Sequence, residues 1–403
     1  FLDKRRSGKT VDTSIVYKII KDIKKNKLKA LIKYEKKFSK NNEIVLKKKK
    51  IANIIKKLDP KIKKAIDFSY NRIFKFHYKQ KIKNIFYKDS LNNKLEYKFL
   101  PIHSVGIYVP SNLPSTLLMN AIPAKIAGVK RIVLANPKLN GKLNPAVLYA
   151  AKKIGIKEIY SMGGAQAIGS LAYIQKVNKI VGPGNNYVAR AKKEVFGDVG
   201  IEGMIAGPSE VTVIADNNSN IDQIITSMAA QSEHGINSQS ILICKNKKFA
   251  NIFKKKIFKE IKNYPRSKII KKSLLSNGLI IIAKNENQVI KCANTISPEH
   301  IEILTKKPEK YLNKIYNAGC IGLGKFSPVA ASDYCVGSNH VLGVMGSAKF
   351  ASGLNLSDFY KKISVFTLSK KGIEVIGKKA ITLAEYEGLK FHAQSIKSRM
   401  RRN

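Results

Sequence analysis

The sequence predicts an α/β protein built on parallel, doubly wound sheets. Two observations carry this. From Ile102 onward, short runs of β-branched residues alternate with helical stretches of about ten to fifteen residues, the rhythm of βαβ units. Two of the strand-to-helix turns are glycine-rich, Gly163-Gly164-Ala165-Gln166 and Gly182-Pro183-Gly184-Asn185, as turns at the carboxyl edge of such a sheet often are.

The elements follow in order. Residues 14–35 carry Ile15, Ile19, Ile20, Ile23, Leu28 and Leu31 at helical spacing. Lysine-rich helices are expected through 46–80, with His77 as a partly buried structural histidine. Val105-Gly106-Ile107-Tyr108-Val109 reads as a strand stopped by Pro110. A helix from Met119 to Gly128 follows, then a strand at Arg131-Ile132-Val133-Leu134-Ala135. A helix from Ala146 to Ile154, a short strand at Glu158-Ile159-Tyr160, a helix after Gly163, a strand at Lys179-Ile180-Val181 and a helix to about Phe196 complete one unit. A second unit opens with the strand Glu210–Ala215 and a helix from Ile221. Its further strands are Ser240–Cys244, Leu279–Ala283, Ile301–Leu304 and Ile321–Leu323. Beyond about 355 the chain reads as helical and ends in a basic tail.

The totals set bounds. The 403 residues suffice for two or three domains. No apolar run approaches the ~18 residues of a membrane helix, and the polar N-terminus shows no secretory core. The chain opens on Phe1 without a Met, so residues ahead of it are expected. Cys244, Cys292, Cys320 and Cys335 form no CxxC pair, which suggests neither a structural zinc nor a disulfide framework and fits a reducing, cytoplasmic setting. The net charge of +48 raises the prospect of nucleic acid. Yet the lysines are dispersed among Ile and Asn, all with AT-rich codons, and no aromatic-interleaved or Arg-rich cluster accompanies them. No specific nucleic-acid partner and no membrane partner are expected.

Several stretches could carry chemistry. Gln231 and His234, in Gln231-Ser232-Glu233-His234-Gly235, sit at i and i+3 at a helix end, where both side chains can reach one target such as a metal; taken alone, the pair is better read as a polar helix end with a dipole-favoured histidine. The two glycine-rich turns suit phosphate binding but match no dinucleotide fingerprint. Ser297-Pro298-Glu299-His300 places a carboxylate and an imidazole at the start of a strand, suited to proton transfer or to a structural pair. Asp333 and His340 lie in a polar loop, and Glu387 and His392 in the C-terminal helical region. Asp, two His and Gln form a mixed N/O set that could hold zinc. Spacing alone does not bring them together.

In order, Gly182-Pro183-Gly184-Asn185, Ala206-Gly207-Pro208-Ser209-Glu210, Gln231–Gly235, Ser297–His300, Asp333-Tyr334 with Asn339-His340-Val341-Leu342, and Glu387-Gly388-Leu389 with His392 resemble the motifs of the histidinol dehydrogenase family. The resemblance runs from about residue 4 to the end. It implies two Rossmann-like doubly wound domains, the second inserted into the first, with small helical terminal segments. The expected boundaries are an N-terminal arm over 1–25, a discontinuous domain over 26–101 and 208–355, an inserted domain over 102–207, and a C-terminal segment over 356–403 swapped between subunits. It implies oxidation of L-histidinol to L-histidine through the aldehyde, in two NAD-dependent steps, by a homodimer with shared active sites and one Zn2+ per subunit. It implies Gln231, His234, Asp333 and His392 as zinc ligands, Glu299 and His300 as the acid–base pair, and Ser209, Glu387, His300 and the zinc ligands as substrate contacts. Tyr108, Gln166 and Asn185 match NAD-contacting positions. The family's swapped dimer would bring Glu387 and His392 from the partner.

There are departures. The loop Ser111-Asn112-Leu113-Pro114 is about three residues shorter than the family's, and Ile174-Gln175-Lys176-Val177 connects directly where an extra loop is usual; both lie near the expected NAD site. Gly343-Val344 replaces Pro-Thr, and Val329 stands where Glu is common. His340 matches a motif position without an assigned role; it and His103 read as structural. A related zinc- and NAD-dependent alcohol dehydrogenase and a nucleic-acid-binding protein on a retired scaffold are the alternatives.

Overall fold

The computed structural model describes residue 2 and residues 13–202 and 207–400. The chain divides into two compact units, one of residues up to 80 with 103–358 and one of 81–102 with 359–403.

Helices α1 (Ser14–Ser39), α2 (Lys48–Lys56) and α3 (Pro60–Tyr78) open the first unit. Strands β1 (Ile85–Lys88) and β2 (Lys94–Pro101) belong to the second. The first unit resumes with β3 (Ser104–Tyr108), α4 (Pro114–Ala127), β4 (Arg131–Ala135), α5 (Pro145–Ile154), β5 (Glu158–Tyr160), α6 (Gly164–Tyr173), β6 (Lys179–Val181), α7 (Asn186–Val195) and β7 (Gly200–Ile201). These strands form a parallel sheet in the order β5-β4-β3-β6-β7. Next come β8 (Glu210–Ile214), α8 (Ile221–Ser232), β9 (Gln239–Cys244), α9 (Lys247–Glu260), α10 (Ser267–Asn277), β10 (Gly278–Ile282), α11 (Glu286–Ile296), β11 (His300–Ile303), α12 (Glu309–Leu312), β12 (Cys320–Leu323) and α13 (Val329–Ser332). They build a second parallel sheet, β10-β9-β8-β11-β12. Both sheets thus have one connectivity: the first strand is central and the order reverses beside it. The central strands β3 and β8 are buried along their whole length, which is why they read as continuous apolar or β-branched runs.

The two doubly wound lobes were expected; the partners of the terminal segments differ. Residues 26–101 were assigned to the lobe containing β8. Instead Leu31 and Tyr34 of α1, together with Val16, Ile19, Ile20 and Ile23 from the stretch expected as the N-terminal arm, share a core with Ile168 and Leu171 of α6 and Val188 of α7, on the first sheet. Gly169 allows that approach: a Cβ there would lie 3.1 Å from the terminal methyls of Ile20 and Ile23. Strands β1 and β2 were not foreseen. They pair antiparallel with each other, and β2 also pairs antiparallel with β13 (Tyr360–Thr367). Helices α14 (Lys370–Tyr386) and α15 (Lys390–Met400) complete the second unit, so the C-terminal segment is not wholly helical. An amphipathic stripe specifies that a face is buried, not which element covers it. Among the described residues no helix is long and apolar enough to cross a membrane.

His77 is fully buried in α3. Its Nδ1 donates to Ile73 O at 2.9 Å, leaving Nε2 to accept from Asn339 Nδ2 at 3.4 Å; that amide also donates to Met119 O at 2.7 Å. Burial holds the imidazole pKa below its ordinary 6.5. The folded state therefore binds this proton less readily than the unfolded one. Its contribution is fully present above pH 6.5 and is lost as pH falls, by up to about 1.4 kcal/mol per pH unit. Denaturation of the unaltered protein and of His77→Gln at pH 7 and pH 5 should show a steeper loss in the former. Equal losses would remove His77 as a source of acid sensitivity.

Candidate active site

One cavity of about 290 Å3 lies between the lobes, with Thr116, Gly182, Ser209, Gln231, His300 and Asp333 in its wall. The first lobe contributes the carboxyl edge of its sheet. The start of α4 follows β3, and Gly182-Pro183-Gly184 follows β6. Gly182 has φ +104°, and a Cβ on it would sit 2.0 Å from Tyr108 O, so only glycine permits this turn to lie against the end of β3.

The second lobe contributes the opposite edge, the amino ends of its strands. Ser209 precedes β8, and Glu299 and His300 open β11. Ser297, with φ 49°, caps α11 in the left-handed region, where a non-glycine residue is strained. Its Oγ donates to Asn294 O at 2.6 Å, and the turn delivers Pro298-Glu299-His300 to the cavity.

Glu299 and His300 are tightly held. Glu210 N–H donates to Glu299 Oε2 at 3.0 Å, and Glu299 N–H donates to Glu210 Oε2 at 3.4 Å. Glu210 Oε1 also accepts from Met345 N–H at 3.1 Å. His300 Nδ1 lies 3.3 Å from Glu210 O and 3.6 Å from Glu299 Oε2. A proton on Nδ1 donates to Glu210 O and leaves Nε2 with a lone pair. Nε2 is buried without a hydrogen-bond partner and lies 3.8 Å from Asp333 Oδ1. Burial works to lower the His300 pKa, but the Glu299 and Asp333 carboxylates outweigh it and the net shift is upward. The arrangement is a base aimed into the cavity beside a carboxylate, as proton transfer requires.

Gln231, His234 and Asp333 line the same cavity. Helix α8 ends at Ser232, so His234 falls just beyond it. His234 N–H donates to Gln231 O at 3.3 Å, a three-residue turn that stacks i over i+3. Asp333 caps the end of α13, and burial pushes its carboxyl pKa up. Among the described residues, no group of three or more His, Cys, Asp or Glu is placed to hold a metal. Gln231 lies outside that donor class, so His234 and Asp333 are the imidazole and carboxylate this unit offers from the expected set. His340 also lines the cavity; its Nδ1 donates to Asp333 O at 2.8 Å, and burial lowers its pKa.

Tyr108, Gln166 and Asn185 surround the carboxyl edge of the first sheet and are absent from the cavity wall. Asn185 caps α7, accepting from Tyr187 and Val188 N–H, both at 3.1 Å. Gln166 Nε2 donates to Glu35 Oε1 at 2.9 Å, which also accepts from Gly163 N–H at 2.9 Å. Tyr108 Oη accepts from Gly164 N–H at 3.4 Å. The turn at 163–166, a candidate anion site, is therefore filled by the chain's own carboxylate. Glu387 and His392 belong to the second unit, where both are exposed.

A sequence profile of the histidinol dehydrogenase family matches residues 3–400. Histidinol dehydrogenase of Pelagibacter ubique (strain HTCC1062) is 54% identical over 408 aligned residues, covering 100% of this chain and 95% of the relative. Histidinol dehydrogenase 1 of Trichormus variabilis is 43% identical, covering 87% and 83%. The crystal structure of histidinol dehydrogenase from Elizabethkingia anophelis superposes with a TM-score of 0.92 at 37% identity, covering 97% and 93%. The chain belongs to the histidinol dehydrogenase family.

An acetylating aldehyde dehydrogenase from Geobacillus thermoglucosidasius, at 14% identity and a TM-score of 0.52, shares the fold alone. Within the histidinol dehydrogenase frame, four buried charged residues had no role from sequence: Glu35, Lys192, Glu210 and Glu302. Glu210 lies in a recognised motif, but its reciprocal bonds with Glu299 need the β8–β11 pairing to exist. Lys192 sits on the stripe Val188, Ala191, Val195 that α7 buries, and a lysine on such a stripe is a legible signal. Glu35 gave none, since charged residues in helices usually face water.

Replacing Glu35 with Ala strands the Gly163 amide and the Gln166 carboxamide as buried donors, a loss of about 1–3 kcal/mol. Urea denaturation measures it. A loss no larger than for an exposed helix substitution would contradict the role given to this carboxylate.

Proposed function

We infer that this chain oxidises L-histidinol to L-histidine through the aldehyde, with Gln231, His234, Asp333 and a partner's copy of His392 as zinc ligands. Family membership supports the reaction. The observation that carries the residue roles is the convergence of Ser209, Gln231, His234, Glu299, His300 and Asp333 on one cavity. Bound NAD supplies the hydride acceptor, used twice, and zinc supplies a template that grips the substrate's nitrogen atoms.

The chain's own residues move the protons. His300 Nε2 takes the alcohol proton as the carbinol carbon loses hydride. Glu299 then removes a proton from water as the water oxygen adds to the aldehyde carbon, and the His300 imidazolium returns its proton to the carbonyl oxygen, giving a hydrate and a neutral imidazole. His300 takes a hydrate proton as the second hydride leaves, and the carboxylate forms. Ser209 and Glu387 hold the substrate. Tyr108, Gln166 and Asn185 contact NAD at the sheet edge, with Glu35 fixing which way the Gln166 amide points. The soluble setting is cytoplasmic.

Homodimerisation accounts for the fourth ligand. Phe391 and Tyr386, which flank His392 and Glu387, are 90% and 91% exposed. Bare aromatic surface of this kind marks an interface.

Three outcomes check this. Purified protein should form NADH from histidinol, and lose that activity with its zinc on chelation; zinc-free protein with full activity would remove the metal from the scheme. Glu299→Gln should slow oxidation of supplied histidinal more than that of histidinol, while His300→Asn slows both, by about 100-fold or more. Mixing inactive His300→Asn and His392→Asn proteins should restore about a quarter of the activity, since one site per mixed dimer is intact. If no activity returns on mixing, each site is built from one chain.

A further inference from the structure

Glu302 is 1% exposed and takes no part in the proton transfers described above. It lies on β11 two residues beyond His300, so both side chains leave the same face of the strand. A carboxylate at that depth requires partners, and it has two. Ser227 Oγ donates to Oε2 at 2.6 Å, and Val329 N–H donates to Oε1 at 2.8 Å.

Those partners belong to the two elements that carry the residues read as metal ligands. Ser227 lies in α8, with Gln231 four residues further along and His234 seven; Glu233 keeps helical angles past the helix end, so the three share one side of the helical path. Val329 begins α13, and Asp333 caps it four residues on. Gln231, His234 and Asp333 line the main cavity. The same three recur, with Ser227, Glu302 and Val329, in the wall of a second cavity of about 120 Å3. Gly322 gives the bridge its room. It pairs with Glu302 from β12, and a Cβ on it would lie 2.3 Å from Ser327 O, which would push the chain leading to Val329 away from the carboxylate. Val329 also shares an apolar core with Ile225 and Met228 of α8, but such contact is non-directional. Among the described residues no hydrogen bond runs directly from α8 to α13, so Glu302 supplies the directional link.

We propose that Glu302 is a positioning residue that fixes α8 against α13, keeping Gln231 and His234 on one and Asp333 on the other directed at a single target. This rests on the reading that these three residues hold zinc.

Zinc affinity of the full-length protein, measured by competition with a chromogenic chelator, tests this beside thermal unfolding of the zinc-free protein. Glu302→Gln keeps both bonds, its Oε1 accepting from Val329 N–H and its Nε2 donating to Ser227 Oγ, and should hold zinc within about twofold of the unaltered protein. Glu302→Leu removes both bonds and Ser227→Ala removes one. Each should weaken zinc binding by about tenfold or more, the scale for groups that orient metal ligands, at a temperature where the zinc-free proteins are folded. Ser227→Ala leaves the carboxylate its Val329 bond, so it carries the test if Glu302→Leu does not fold. Unchanged zinc affinity in Ser227→Ala would overturn the proposal, whatever happens to the unfolding temperature. A loss in Glu302→Gln as large as in Glu302→Leu would overturn it too, by assigning the effect to the charge and not to the bridge. The two readings fail separately. If the unaltered protein binds no zinc, the ligand set of the proposed function falls; if it binds zinc and every variant matches it, only the role of Glu302 falls.

Discussion

Buried charges bonded to the backbone hold this structure's loops in place. Glu35 accepts from Gly163 N–H, Glu210 from Met345 N–H, Glu299 from Glu210 N–H and Glu302 from Val329 N–H at 2.8 Å; Lys192 donates to the carbonyls of Gly182 and Glu202. Each is almost fully buried, so each requires its partner. Together they connect α1 to α6, β8 to β11, β8 to the 345 loop, β11 to α13, and α7 to the two turns at the sheet edge.

The two sheets share a connectivity and are used at opposite ends. At the carboxyl edge of a parallel sheet the following helices begin, and helix starts favour anions; at the amino edge helices finish, and helix ends favour cations. The first lobe turns its carboxyl edge to the cavity, with α4 open and Lys192 beneath. The second turns its amino edge, with α8 ending at Gln231 and His234. Helix starts from one lobe and helix ends from the other therefore face the same crevice. His300 sits between them, its free Nε2 facing the space where substrate would lie.

Much of this was legible in the sequence. The alternation of strands and helices gave two doubly wound lobes, because parallel strands need helical crossovers and helical crossovers leave a countable rhythm. The motif residues of the second lobe were legible because several share short segments, such as Gln231 with His234 and Glu299 with His300. The hairpin of β1 and β2 went unread although Leu95, Tyr97 and Phe99 alternate with Lys94, Glu96 and Lys98; its residues are mostly exposed. The placement of α1 on the first sheet was hidden too: its stripe matches any complementary face.

By itself, then, the sequence determined the order of the elements in the two doubly wound lobes and the family, and it singled out motif residues that line the cavity, all properties of local pattern or ordered motif. Only the tertiary structure decided which ends of the two sheets meet, that Glu35 fills one glycine-rich turn, and that Lys192 supplies the cavity's positive charge. Those depend on contacts across large separations, 128 residues between Glu35 and Gly163 and 89 between Glu210 and Glu299. Burial makes such bonds obligatory, but nothing in the local sequence says which partner will meet them.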